Sequence, residues 1–206
     1  MGKTEKFDNI DLIAAKFQQN PFEFKRQFMT RPEPSLTRTE RNDAVEKLWD
    51  EYTELVKQEG KEDEIIRCMD SIIQLDPKDV GVWNNKGNAL ANLDKYEEAI
   101  ECYNKALELD PKNAYAWGNK GNALDRLGKP EKAIECYDKV IELDPEYANA
   151  WYNKGNVLGS LGKPEEAIEC YDKVLEIDPN GARAWYNKGV ELGSLGKPEE
   201  AIECYD

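Results

Sequence analysis

The chain contains no histidine among its 206 residues. That removes the commonest general base and the commonest neutral metal ligand from any account of its function. No Cys-x-x-Cys motif is present either, so a zinc site is not expected. There is no run of about 20 apolar residues, the length a transmembrane helix needs. The N-terminus, MGKTEKFDNIDLIAAKF, lacks the apolar stretch of a signal peptide. Basic residues are few: 28 Lys+Arg stand against 42 Asp+Glu, a net charge of −14. Neutralising nucleic-acid phosphates needs a basic face, and anionic membranes repel an acidic one. Neither is an expected partner. A cytoplasmic chain without cofactor or metal is the resulting expectation, and with no nucleophile–base pair or phosphate loop it is not expected to be an enzyme.

Phenylalanine is missing after Phe28, yet tryptophan and cysteine are spread along the rest at one fixed interval. The five tryptophans are Trp49, Trp83, Trp117, Trp151 and Trp185, and the five cysteines are Cys68, Cys102, Cys136, Cys170 and Cys204. Both series step by 34 residues. A period shared by two rare residue types marks one supersecondary unit stacked on copies of itself.

The motif residues define the unit. With Val80 at position 1, Trp83 is position 4, Gly87 position 8, Leu90 position 11, Ala99 position 20, Tyr103 position 24, Ala106 position 27 and Pro111 position 32. This resembles the tetratricopeptide repeat, a helix-turn-helix unit of about 34 residues. The resemblance implies an all-α fold, a right-handed superhelical solenoid of stacked helix-turn-helix pairs. Regular copies span 80–113, 114–147 and 148–181, and a copy from 182 stops at Asp206. A degenerate copy, 46–79, keeps Trp49, Gly60, Ile65, Met69, Ile72 and Pro77 in register. Two departures recur: position 7, usually Leu in this family, is Lys86, Lys120, Lys154 and Lys188, and position 11, usually Tyr, is Leu. The lysines are expected to snorkel, stem on apolar surface and ammonium in water.

Residues 1–45 form a non-repeat N-terminal arm or cap. All five phenylalanines lie there, and its net charge is +1 against −15 for 46–206. Asp8 can cap a short helix carrying Ile10, Leu12, Ile13 and Phe17, and Arg31–Ser35 reads as a linker. The segment either covers the first repeat, binds a partner or the chain's own groove, or stays disordered.

From about Thr39 a helix should run to Gln58, where Gly60 breaks it. In the regular copies helix A is expected over positions 2–14 and helix B over 17–30. Pro130, Pro164 and Pro198 start helix B, where the missing N–H costs nothing. Glu131, Glu165, Glu166, Glu199 and Glu200 follow, favoured by the positive helix terminus. Small residues at positions 8 and 20 let the paired helices approach, with tryptophans and tyrosines filling the space around them. Trp117→Ala is expected to cost about 3–5 kcal/mol as a large core truncation. The cysteines should be half-buried packing residues, since packed helices lie roughly 8–10 Å apart and a disulfide needs Cα atoms within about 7 Å.

The resemblance also implies where a ligand sits. In this family positions 2, 5, 6, 9, 12 and 13 of helix A face a concave groove. On this chain position 6 is Asn85, Asn119, Asn153 and Asn187, and position 9 is Asn88, Asn122 and Asn156, then Val190. Three-residue spacing puts each pair on one helix face. Amides carry donors and an acceptor, which suits the backbone of an extended peptide. The alternative expectation is that some of these asparagines bond neighbouring helices. Tyr115, Arg126, Tyr152, Arg183 and Tyr186 complete the candidate groove. Between 148–172 and 182–206 only Asn149/Arg183, Asn156/Val190 and Val157/Glu191 differ, so two of three changes fall on groove positions. The two-carboxylate clamp by which one subtype holds chaperone tails is incomplete, because position 5 is Asn84, Gly118 and Tyr152 rather than Lys.

The expected function is a protein–protein interaction scaffold that holds an extended peptide or helix. The alternatives are a self-assembly module, oligomerising through the uncapped C-terminal end or the N-terminal arm, or the regulatory part of a larger protein.

Overall fold

The computed structural model describes residues 36–205, so the arm's phenylalanines and the expected helix at Asp8–Phe17 lie outside the described residues. Ten helices and no strand are present among them. They are α1 (Arg38–Leu55), α2 (Glu62–Leu75), α3 (Val80–Asn92), α4 (Tyr96–Leu109), α5 (Ala114–Arg126), α6 (Pro130–Leu143), α7 (Ala148–Ser160), α8 (Pro164–Ile177), α9 (Ala182–Ser194) and α10 (Pro198–Glu203). None is long and apolar enough to cross a membrane. The described chain divides into two compact units, one ending at Val82 and the other beginning at Trp83.

In the first unit α1 and α2 form a helical hairpin. Thr37 caps α1 through a reciprocal box: its Oγ1 accepts from the Glu40 amide at 3.3 Å, and its own amide donates to Glu40 Oε2 at 2.9 Å. The helix ends at Leu55, three residues before the expected Gln58, because Gln58 N–H turns back onto the Leu55 carbonyl and tightens the chain. Met69 and Ile72 are fully buried with Cys68 and Val82, and Val45, Leu48, Trp49 and Tyr52 pack against them.

The second unit repeats one arrangement. From α4 onward each helix packs on the next in sequence, α5 also touches α7, and α7 also touches α9. The helix A to helix B turn requires a left-handed residue at position 15. Gly128, Gly162 and Gly196 supply it at φ near +72°, and Asp94 occupies the same place at φ +58°. Aspartate visits this region at lower cost than most side chains. After each helix B, an aspartate side chain closes the turn: Asp110, Asp144 and Asp178 Oδ1 each accept from the amide two residues on at 3.1 Å. Pro130, Pro164 and Pro198 stand at the helix starts as their position predicts.

The aromatic roles differ from the sequence expectation. The fully buried ring of each of the three regular repeats is the position-24 tyrosine: Tyr103, Tyr137 and Tyr171 are at most 2% exposed. The tryptophans are only half-buried. Trp117, Trp151 and Trp185 send Nε1–H to the carbonyls of Pro111, Pro145 and Pro179 at 2.9–3.0 Å, so they tie one repeat to the last residues of its predecessor. Polarity explains the difference. The indole N–H reaches a loop carbonyl at the edge, whereas the phenol finds its partner inside.

The tyrosine ring lies flat against the glycine at position 8. A Cβ on Gly155 would stand 2.7 Å from Tyr171 Cε1, and one on Gly121 would stand 2.7 Å from Tyr137 Cε1. Both neighbours are packed, so neither can retreat. Gly155→Ala should therefore destabilise the array by about 1–3 kcal/mol despite alanine's better helix propensity. Urea denaturation followed by circular dichroism tests this; a stabilised variant would mean the ring has room to move.

Four of the five cysteines are buried free thiols, and Cys204 is half-exposed. Cys102, Cys136 and Cys170 each precede the buried tyrosine on helix B, small side chains among the packed residues.

Candidate functional site

Positions 6 and 9 do share one face of helices α3, α5, α7 and α9, and the asparagines there are bonded to one another. Asn119 Nδ2 donates to Asn88 Oδ1 at 2.9 Å, Asn153 Nδ2 to Asn122 Oδ1 at 3.1 Å, and Asn187 Nδ2 to Asn156 Oδ1 at 2.8 Å. Each bond joins one repeat to the next. The same three acceptor oxygens take a second bond from inside. Tyr103, Tyr137 and Tyr171 hydroxyls donate to Asn88, Asn122 and Asn156 Oδ1 at 2.9, 2.8 and 3.0 Å.

The phenols fix the sense of this network. Burial pushes all three tyrosine pKa values well above the ordinary phenol value, so each hydroxyl stays a donor. A donor facing the amide turns its Oδ1 inward and its Nδ2 outward. The position-9 residues Asn88, Asn122 and Asn156 therefore offer Nδ2 donors to the open side. The position-6 residues Asn119, Asn153 and Asn187 spend Nδ2 on the ladder and offer Oδ1 acceptors. Asn85 is half-buried, with no side-chain hydrogen bond among the described residues.

Around the ladder the other candidate residues differ in setting. Tyr115 is 68% exposed and stands edge-on to Tyr147, with ring centroids 6.2 Å apart. Arg126 is exposed and lines a cavity of about 330 Å³ with Asn122, Asp125, Tyr137, Asn153 and Asn156. Arg183 stacks its guanidinium 4.7 Å above the Tyr152 ring, whose hydroxyl accepts from Asn187 Nδ2 at 3.1 Å. Tyr186 is 62% exposed and leans on Tyr205 at 5.9 Å.

Sequence comparison matches the repeat itself to a known family. The tetratricopeptide repeat family model matches residues 80–113, 114–147, 148–180 and 182–206, more than half the chain. The chain belongs to the tetratricopeptide repeat family. Among solved structures, a MamA protein is 27% identical with a TM-score of 0.71, covering 78% of this chain and 87% of its own. The first TPR of Spaghetti (RPAP3), bound to the HSP90 peptide SRMEEVD, is 32% identical over 59% of this chain and 96% of its own, with a TM-score of 0.56. YrrB, described as a TPR protein with an unusual peptide-binding site, shares the fold at 23% identity and a TM-score of 0.63, covering 88% of each chain. Comparison with curated proteins gives no match.

This tetratricopeptide array also brings in a residue that is not among the candidate groove residues. Glu191, at position 10 of its repeat, reaches across to the preceding repeat. Its Oε1 would lie 2.5 Å from a Cβ on Gly159. A Cβ there would displace the carboxylate from this position; the carboxylate adds to the rise in the Tyr171 pKa that burial causes. The signal was visible only as a pair, Gly159 with Glu191, and nothing in either residue alone points to the other. Asp125 is likewise part of the cavity beside Arg126.

Proposed function

We propose that the chain is a protein-interaction scaffold without a catalytic step of its own. It binds an extended peptide along the asparagine face of α3, α5, α7 and α9. The observation that carries this reading is the alternation of outward amide atoms. Nδ2 donors at Asn88, Asn122 and Asn156 and Oδ1 acceptors at Asn119, Asn153 and Asn187 follow one another over three successive junctions, oriented by the tyrosine bonds beneath. An extended backbone presents carbonyls and N–H groups in alternation, so it pairs with such a row without regard to side chains. Selectivity then falls to Tyr115, Arg126, Tyr152, Arg183 and Tyr186. The peptide-bound relative supports the same use of the fold. The ligand here differs from a chaperone tail in chemistry, because the groove mixes Arg126 and Arg183 with Asp125 and Glu191 and lacks lysine at position 5. Residues 46–79 serve as the degenerate first repeat, whose first helix begins upstream of that copy at Arg38. Cytoplasmic residence fits a chain whose cysteines are free thiols.

Because the asparagines also tie repeats together, alanine at those positions would confuse binding with stability. The informative variant replaces Tyr115, Arg126 and Arg183 with alanine, three exposed residues. A displayed random-peptide library is selected against the parent and the variant, after matching their helicity. The parent should enrich peptides that the variant binds about tenfold more weakly or worse, as expected when anchor residues carry the affinity. Equal enrichment by both proteins would reject the groove.

A second reading, self-association, has its own observation: Tyr186, Val190, Ile202 and Tyr205 on the last helix pair are 46–62% exposed. A concentration-dependent mass in sedimentation equilibrium would favour it over peptide binding.

A further inference from the structure

The face of α5 opposite the asparagines differs in charge from its counterparts on α7 and α9. Positions 4, 7, 11 and 14 lie on that face, since the 3.6-residue turn sets them across the helix from positions 2, 6, 9 and 13. At two junctions between repeats this face is self-neutralised. Lys154 pairs with Asp138 and Lys188 with Asp172, both at 2.6 Å, each linking position 7 to position 25 of the repeat before. Lys163 pairs with Glu166 at 3.0 Å and Lys197 with Glu200 at 3.3 Å, linking positions 16 and 19.

The junction of α4, α5 and α6 has lost both acceptors. Position 25 is Asn104 instead of aspartate, and position 19 is Lys132 instead of glutamate. Lys120, Lys129 and Lys132 make no ion pair among the described residues, and the Lys120 ammonium rests 5.0 Å above the Trp117 ring. There the structure opens a cavity of about 480 Å³. Its apolar surface comes from Ile100, Trp117, Leu124, Leu127 and Cys136. Its rim holds four lysines, Lys120, Lys129, Lys132 and Lys139, against Glu97 and Glu135. Lys139 is already held by Glu142 at 2.6 Å. The corresponding positions one repeat on carry three lysines and four carboxylates. A basic, apolar-floored pocket thus stands in a chain of net charge −14.

We propose that this pocket binds an acidic segment of a partner protein. An apolar side chain of that segment seats on the floor, and flanking carboxylates pair with Lys120, Lys129 and Lys132. Charge complementarity commits the occupant: the intramolecular carboxylates that fill this role at the neighbouring junctions are the two that are absent here. The site is separate from the asparagine face, and either can fail without the other.

The test is calorimetric titration of the full chain with a nine-residue probe, one central leucine with four glutamates on each side. A probe with lysines in place of the glutamates and a twelve-nucleotide single strand serve as comparisons. The variant is Asn104→Asp with Lys132→Glu, which restores the residues that neighbouring junctions carry and so suits the fold. Two or three exposed ion pairs are lost, so binding should weaken roughly tenfold, and the difference should shrink at high salt. The Tyr115, Arg126 and Arg183 triple-alanine variant should bind as the parent does. If the first variant's helicity falls, Lys129→Gln at an exposed position should still weaken binding roughly threefold. No binding of the glutamate probe by the parent would overturn the proposal, as would unchanged binding by the restored variant. Equally tight capture of the nucleotide strand, lost in the same variant, would replace the acidic-protein partner with a general polyanion patch.

Discussion

Tyr137→Ala is expected to lower the unfolding free energy by about 3–5 kcal/mol, the range of large aromatic truncations in cores. The ring is 2% exposed and packs against the backbone at Gly121. Its hydroxyl holds Asn122 Oδ1, which in turn holds Asn153 of the next repeat. Alanine therefore leaves a cavity and weakens a bond between repeats. In a stacked array each unit draws much of its stability from its neighbours, so the urea transition should also broaden as coupling across that repeat fails. Trp117→Ala should cost less, about 2–3 kcal/mol, because its indole is half-buried and part of its surface already meets water. A larger loss at Trp117 than at Tyr137 in paired urea titrations would show that the tyrosine is not the centre of the repeat.

The second large effect is alkaline destabilisation. Burial pushes the Cys136 and Cys170 thiols from the ordinary value near 9 up to about 11, against a lowering by Lys120 and Lys154 respectively. Burial likewise raises Cys68 to about 12. An unfolded thiol ionises first, so above pH 9 the unfolded chain releases protons that the native chain keeps. The stability is fully present below about 9 and is lost as pH rises towards 11. Each buried thiol should contribute roughly 2 kcal/mol to the decline, and the buried tyrosines extend it further up. Stability measured by urea unfolding at stepped pH tests this, with Cys136→Ala and Cys170→Ala together expected to flatten the slope. A curve of the same steepness in that double variant would mean the thiols are not the titrating groups. Iodoacetamide should label half-exposed Cys204 before the other four.

Much of this molecule was legible as periodicity. A helix pair of fixed length, a left-handed residue at its turn and a proline at its second helix all follow from short-range rules that act within one repeat. The aromatic assignment was not legible in that way. Tryptophan is the larger hydrophobe, so composition favours it for the core, but its N–H is drawn to a proline carbonyl six residues back at the repeat edge. The smaller tyrosine takes the centre because its hydroxyl finds an amide there. The asparagine ladder was half legible. Position and face could be read, but the bond partners lie 31 residues apart, across a boundary between copies. The Glu191–Gly159 approach and the lysine pocket were hidden for the same reason.

The sequence by itself determined the unit: its length, its two helices, its turn and its membership in a family of stacked repeats, because these depend on residues close in the chain. Only the tertiary structure decided which atoms remain for a ligand. Whether an amide offers its oxygen or its nitrogen depends on what the neighbouring repeat has already bonded. Whether a lysine is neutralised depends on which residue the preceding helix places opposite it. Both are properties of surfaces that meet only when the repeats stack.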